Sequence, residues 1–216
     1  MTKEDAIAAY ALDESRVVVI PQGVGEEFKP DRDLPRPIDE PYILYVGTLE
    51  PRKNIPLLVE SFAQFRRHGF PHLLALVGPM GWMSEQVTEA LARSKIADYV
   101  RLPGYVADLA PWYNHADFLV YPSSYEGFGL PPLEAMACGT PVVLPAGVSL
   151  REVAGDAALL IEPFTGEGMV NAMEALAADA GLRDRLRQKG LERASRFSWD
   201  ETARRTVEVY EAVARG

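Results

Sequence analysis

Short apolar runs bounded by Gly or Pro alternate with segments of helical spacing from residue 42 to residue 163, and no other feature constrains the fold as tightly. YILYVG (42–47), HLLALVG (72–78), YVRLPG (99–104), DFLVYPS (117–123), PVVLP (141–145) and AALLIEP (157–163) read as strands. Between them, helices are predicted over 54–67, over 84–94 with Ser84 as cap, near 108–115, and over 131–138, where Gly139 is the stop. Continuous apolar strands are buried on both faces, so the chain belongs to the α/β class, with a parallel sheet covered by helices on both sides. Such sheets hold ligands in the crevice at the carboxyl ends of their strands. The residues just after each strand therefore carry the functional information.

The flanks read differently. Residues 2–12 suit a short amphipathic helix with Thr2 as N-cap, and VVVIPQGV (17–24) is a β-branched run that Pro21 and Gly23 end. Residues 26–41 carry Pro30, Pro35, Pro37 and Pro41 among charges, which is linker composition and places a domain boundary there. After the last strand, helices are predicted over 166–178, 182–196 and 198–214, the last opening with the capping-box pattern Ser198-Trp-Asp-Glu201.

Charge and composition exclude several partners. With 22 Lys+Arg against 31 Asp+Glu, a net charge of −9 counts against nucleic acid and against docking on anionic lipid. No apolar run approaches the ~20 residues of a membrane span, and the start lacks a signal-peptide pattern. The single Cys138 excludes an intrachain disulfide and suits a reducing compartment, so a cytoplasmic chain is expected. Gly69 and Pro71 keep His68 and His72 off one helix face. No metal site is therefore expected, and these two residues read as plain surface histidines.

Three places at the strand ends stand out. After YILYV comes Gly47-Thr48-Leu-Glu-Pro-Arg52-Lys53-Asn54, with a guanidinium and an ammonium at the mouth of a helix. A bidentate fork, a point charge and a positive dipole end suit a diphosphate; for these two residues alone, a solvated basic turn is the alternative. After DFLVYPS comes Tyr125-Glu126-Gly127-Phe128-Gly129-Leu130-Pro-Pro-Leu-Glu134. Gly127 and Gly129 let backbone approach a ligand, and Leu130 starts a helix whose amides face the crevice. Glu126 and Glu134 accept paired hydrogen bonds from vicinal hydroxyls, as a sugar and a ribose on one ligand offer. A loop charge and a dipole-stabilising Glu are their structural alternatives. Gly78 and the segment Gly104-Tyr105-Val106 close the list, with backbone groups that suit a flat base.

Two nucleotide fingerprints are absent. There is no G-x-x-x-x-G-K-[ST], and Gly127-Phe-Gly129-Leu-Pro-Pro132 fails G-x-G-x-x-G at its third glycine, which disfavours P-loop NTPases and dehydrogenases. Instead, Glu126 to Glu134 followed by Ala-Met-Ala-Cys-Gly-Thr-Pro-Val-Val resembles the E-x7-E signature of retaining glycosyltransferases of the GT-B fold, family 4 (group 1). Val19-Ile-Pro-Gln-Gly-Val resembles the hinge segment of that family, and residues 47–54 its phosphate-binding strand end. Many members carry Arg where Thr48 stands and Asn where Gln22 stands.

The resemblance implies a Rossmann-like sheet forming the C-terminal half of a GT-B enzyme. Residues 1–41 would be the remnant of the N-terminal half with hinge strand and linker, 42–197 the nucleotide-sugar-binding domain, and 198–216 the crossover helix. Arg52 and Lys53 would grip the donor diphosphate, and Glu126 the donor hexose; these three form the implied catalytic set. Glu134 would take the ribose. The Phe128, Gly129 and Leu130 amides, the Gly47, Thr48, Gly78 and Gly127 strand ends and the Tyr105–Val106 turn would complete the donor site. The donor would be a UDP-, GDP- or ADP-linked sugar, with mannosyl transfer one option, and no metal or other cofactor is implied. The acceptor-binding N-terminal half would be the missing partner, so the chain alone would be inactive. Apolar residues on the terminal helices (Ile7, Tyr10, Val207, Tyr210) would be exposed and favour self-association. Two other readings are a nucleotide-sugar epimerase and a non-catalytic nucleotide-sugar-binding module.

Overall fold

The computed structural model describes residues 2–215, apart from the side chains of Val148 and Ser149. Six strands form one sheet: β1 (Tyr42–Val46), β2 (Leu73–Val77), β3 (Val100–Gly104), β4 (Phe118–Val120), β5 (Val142–Pro145) and β6 (Ala158–Ile161). Every pairing is parallel, and the order is β3-β2-β1-β4-β5-β6. This is the Rossmann-like α/β architecture, with a reversal of strand order between β1 and β4. All five residues of β1 and of β2 are buried, as unbroken apolar runs in the middle of a covered sheet require. β3 is an edge; Arg101, Leu102 and Pro103 are exposed there, and Pro103 has no N–H to offer a further strand.

Nine helices are described: α1 (Thr2–Tyr10), α2 (Ile55–Arg67), α3 (Glu85–Ser94), α4 (Ala110–His115), α5 (Leu130–Ala137), α6 (Val148–Ala154), α7 (Gly166–Ala178), α8 (Ala180–Ala194) and α9 (Trp199–Arg215). α2 packs on α3 and α7, and α5 packs on α4, α6 and α8, giving the two helix layers. Helix α2 buries Ile55, Leu58, Val59, Phe62, Ala63 and Phe65, an apolar stripe at helical spacing. The expected Ser198 cap forms, and Thr165 and Asp179 supply two caps that were not anticipated. Thr165 Oγ1 accepts from Gly168 N at 3.1 Å, Asp179 Oδ1 from Leu182 N at 2.9 Å, and Ser198 Oγ from Glu201 N at 3.2 Å. Ser84 makes no such bond, because its own backbone is already helical.

Helix α6 was not anticipated. Three expectations about the flanks and histidines are also corrected. The run 17–24 pairs with another chain segment only at Val24, through a single bridge to Ser198. A β-branched run becomes a strand only where a sheet edge accepts it. It instead lies along α9, where Thr202 Oγ1 donates to Pro21 O at 2.8 Å and Arg205 to Val19 O at 2.9 Å. Residues 29–34 are strapped down rather than loose: Asn114 bonds Lys29 O and Asp31 N at 3.0 and 2.8 Å, and His115 bonds Leu34 O at 2.7 Å. His72 is a core residue, set between Phe65 and Phe118 and 3.0 Å from Asp117, while His68 pairs with Glu174. Apolar packing sets the environment of His72, while His68 is exposed as expected.

The expected exposure of the terminal helices is found, but Thr2 is the first residue of α1 rather than its cap and the helix stops at Tyr10, not Leu12. Tyr10, Val207 and Tyr210 are exposed, Ile7 is partly so, and neither α1 nor α9 has a buried residue. Among the described residues, no helix is long and apolar enough to cross a membrane.

Candidate functional site

Two strand ends meet where the strand order reverses. After β1 the chain tightens into a 3-10 turn, Pro51–Lys53, in which the Lys53 and Asn54 amides donate to the Glu50 and Pro51 carbonyls at 3.0 Å. Pro51 pre-sets the first φ of this turn. Asn54 leaves it at φ +52°, a left-handed conformation that Asn tolerates. Its Nδ2 donates to Pro122 O at 2.9 Å and to Ser124 Oγ at 2.6 Å, and the Ser124 amide donates to Arg52 O at 3.0 Å. The turn after β1 is thereby bolted to the loop after β4. Arg52 and Lys53 lie in this turn, one step ahead of α2, rather than on the mouth of the helix itself.

Lys53 is 5% exposed and Glu126 8% exposed. Their ammonium and carboxylate meet directly. Tyr121, at the end of β4, bridges them: its hydroxyl accepts from Lys53 Nζ at 2.8 Å and donates to Glu126 Oε1 at 2.8 Å. Arg52 is exposed and converges on the same place. Its Nη1 reaches Glu126 Oε2 at 3.3 Å and Tyr125 O at 3.1 Å, and its Nε lies 2.7 Å from Glu50 Oε1. Two cations and two carboxylates thus share one crevice. Burial pushes the Lys53 ammonium below its usual range, and the Glu126 contact recovers only part of that. Burial also works against the Glu126 carboxylate, but hydrogen bonds from Lys53, Ser123 and Tyr121 outweigh it, so Glu126 sits below the ordinary carboxylate range and is ionised.

Glu134, in the second turn of α5, belongs to a separate station. Its Oε2 accepts from the Tyr113 hydroxyl at 2.7 Å. Burial raises its pKa, the Glu27 charge adds to the rise, and the Tyr113 bond offsets only part of it. The two carboxylates of the E-x7-E pattern therefore differ in kind: one is held charged by cations, the other is inclined to take a proton.

The glycines also divide. Gly129 caps α5 at φ +103°, and a Cβ there would fall 2.7 Å from Leu150 Cδ2, so backbone and space both demand glycine. Gly127 is under no such constraint. Phe128 packs edge-to-face on Phe197 at 5.8 Å, and Leu130 begins α5. On the other side, Gly47 and Gly78 follow β1 and β2, and Gly104 ends the neighbouring β3. The Gly47 amide donates to Val77 O and the Gly78 amide to Gly104 O, both at 2.9 Å, which makes a floor of main-chain atoms. Thr48 O accepts from the Tyr45 hydroxyl at 3.1 Å. Tyr105 is 77% exposed and Val106 is packed against the core, two strands away from Arg52 and Lys53.

The structure thus joins Arg52, Lys53 and Glu126 by direct contact, and sets Glu134 and the Gly104–Val106 turn apart from them. Glu50, Tyr113 and Tyr121 contact these side chains and Asn54 ties the two loops together, and the motifs singled out none of the four. Tyr121 stood inside the run DFLVYPS, where its position after the last strand residue was the available signal. Helix α1 touches the site loop as well, through Thr2 Oγ1 to Gly127 O at 3.3 Å and Tyr125 OH to Asp5 Oδ2 at 3.1 Å.

Residues 40–179 match the family model described as glycosyl transferases group 1. The O-antigen chain mannosyltransferase B of Escherichia coli is 38% identical over 174 residues, covering 78% of this chain and 45% of that protein. A D-inositol 3-phosphate glycosyltransferase of Xylanimonas cellulosilytica is 33% identical, covering 96% of this chain and 54% of that protein. The chain spans about half the length of the curated relatives it matches. Among solved structures, Anabaena HepE in complex with UDP and glucose superposes with a TM-score of 0.86 at 19% identity, over 97% of this chain and 60% of that one.

Proposed function

The chain belongs to the group 1 glycosyl transferases, and from that premise we propose that it is the donor-binding half of an enzyme that transfers a hexose from a nucleoside-diphosphate sugar with retention of configuration. One observation carries the reading: the buried Lys53–Glu126 pair, with Arg52 beside it, at the strand switch point. An ammonium already out of water and a guanidinium meet at Glu126, and α5 begins four residues further on, so the largest contribution of this half is charge stabilisation as the nucleotide departs. An arriving diphosphate takes over Lys53, which frees Glu126 to accept from hexose hydroxyls. Glu134 accepts from the ribose, the Phe128, Gly129 and Leu130 amides contact phosphate or sugar, and the base lies on the main chain of Gly78 and of the Gly104–Val106 turn. Side chains and helix ends do the work of a cation, so no metal is needed.

The like-folded HepE holds UDP and glucose, and one relative is a mannosyltransferase, so uridine and guanosine donors are both to be tested. In a thermal-shift panel of UDP, GDP and ADP, one nucleotide at a hundred times its Kd should raise Tm by about 5–10 °C, from ~2.7 kcal/mol of linkage. No shift with any of the three would overturn the donor-site reading. Transfer should require the acceptor-binding half in addition, because positioning supplies ~7–11 kcal/mol of barrier lowering. Transfer by this chain alone would place the acceptor site within these residues. Binding without transfer, even with that half supplied, would leave a binding module.

A further inference from the structure

Glu50 has no place among the donor contacts described above, yet it is the residue that holds Arg52. Its Oε1 lies 2.7 Å from Arg52 Nε, and its side chain is only 15% exposed against 49% for Arg52. Glu50 is itself pinned. Its carbonyl accepts from Lys53 N at 3.0 Å as the cap just before the 3-10 turn. On the other side the loop after β2 presses close: Gly81 N donates to Leu49 O at 3.0 Å, and a Cβ on Gly81 would lie 3.2 Å from Glu50 Cβ. A carboxylate carried on a restrained backbone thus engages the Nε side of an exposed guanidinium. That leaves the Nη1/Nη2 end to face the crevice, where Nη1 already meets Glu126 and Tyr125 O.

We propose that Glu50 is a positioning residue that orients Arg52 so that the diphosphate is gripped by the Nη1/Nη2 end; this rests on the donor-binding reading. The sign of the effect separates positioning from simple charge. A bare negative charge beside an anion site repels the ligand, so its removal tightens binding. A carboxylate that restrains an arginine limits the rotamer freedom lost on binding, so its removal weakens binding.

The test is calorimetric titration of the 216-residue chain with UDP, GDP and ADP, continued with the tightest of these and the matching nucleoside monophosphate. Glu50→Ala should weaken the diphosphate about fivefold to tenfold and the monophosphate less, as the loss of one charge-assisted bond implies. Glu50→Gln keeps an acceptor for Nε–H and drops the charge, so it should bind as tightly as wild type or more so. In an Arg52→Ala background, Glu50→Ala should cause no further weakening. Should the Ala variant not fold, Glu50→Met fills similar space without an acceptor and carries the same expectations. Glu50→Ala at or above wild-type affinity, Gln as weak as Ala, or an undiminished loss in the Arg52→Ala background would each overturn the role of Glu50 alone. A wild-type chain that binds none of the three nucleotides would overturn the donor reading, and this inference with it.

Discussion

Lys53, in the turn after β1, and Glu126, in the loop after β4, form a buried ion pair across the reversal of strand order. Tyr121 hydrogen-bonds both partners, so neither charge is left without polar company. Desolvating two charges costs about as much as their attraction returns, which makes such a pair a poor fold stabiliser. It is, however, a good way to keep an ammonium out of water until an anion exchanges with the carboxylate.

Lys53→Ala should weaken nucleoside diphosphate binding at least tenfold, because one charge-assisted contact is worth ~1.5–3 kcal/mol. Calorimetry decides this, and wild-type affinity in the variant would remove Lys53 from the site.

Glu126→Gln leaves the Lys53 ammonium buried without a counter-charge and should lower stability by ~3 kcal/mol at neutral pH. The pH dependence has a definite sign. Glu126 titrates below its ordinary 4.5, so its contribution is complete above that value and is lost as pH falls through the lowered one. Urea unfolding of both proteins should therefore show a constant gap from pH 7 to about 4.5 that narrows on further acidification. A gap that widens in acid would contradict the pairing.

Glu134→Ala should weaken ribonucleotides by roughly 1–2 kcal/mol and leave inorganic pyrophosphate binding unchanged. Equal losses for both ligands would refute a ribose contact. Because the Glu134 pKa is raised, ribonucleotide affinity should begin to fall at a pH above the ordinary 4.5 of a glutamate. Tyr113→Phe removes the 2.7 Å donor that opposes this rise and should move the midpoint higher still. Titrations from pH 8 down to 4 read both effects.

Nucleotide binding with excess EDTA should equal binding with added magnesium or manganese, since Arg52, Lys53 and the start of α5 supply the positive charge. A strict metal requirement would replace this electrostatic account with another.

The sheet was legible because apolar runs such as Tyr42–Val46 and Leu73–Val77 admit only a strand buried on both faces. Helix α6 was not, because its seven residues begin after only two intervening residues from β5 and show less than two turns of periodicity. The run 17–24 misled for the opposite reason: strand propensity was present and a partner edge was not. At the site, Arg52, Lys53, Glu126 and Glu134 could be read from spacing and strand-end position. Their working partners could not. Tyr121 meets Lys53, and Tyr113 meets Glu134, only because β4, α4 and α5 pack as they do, and nothing in local spacing encodes those approaches.

The main-chain floor at Gly47, Gly78 and Gly104 has a consequence for how members of such a family diverge. A Cβ on Gly78 would sit 2.1 Å from Gly47 O, so any other residue there breaks the close approach of two strand ends instead of reshaping the ligand surface. The floor is closed to gradual retuning. Variation is channelled into the segments just past it, where Met80, Trp82 and Tyr105 are exposed and can be exchanged without disturbing the sheet. On the donor-binding reading proposed above, two proteins with an identical floor can therefore prefer different nucleotides, and their preferences should follow these outer residues rather than the glycines.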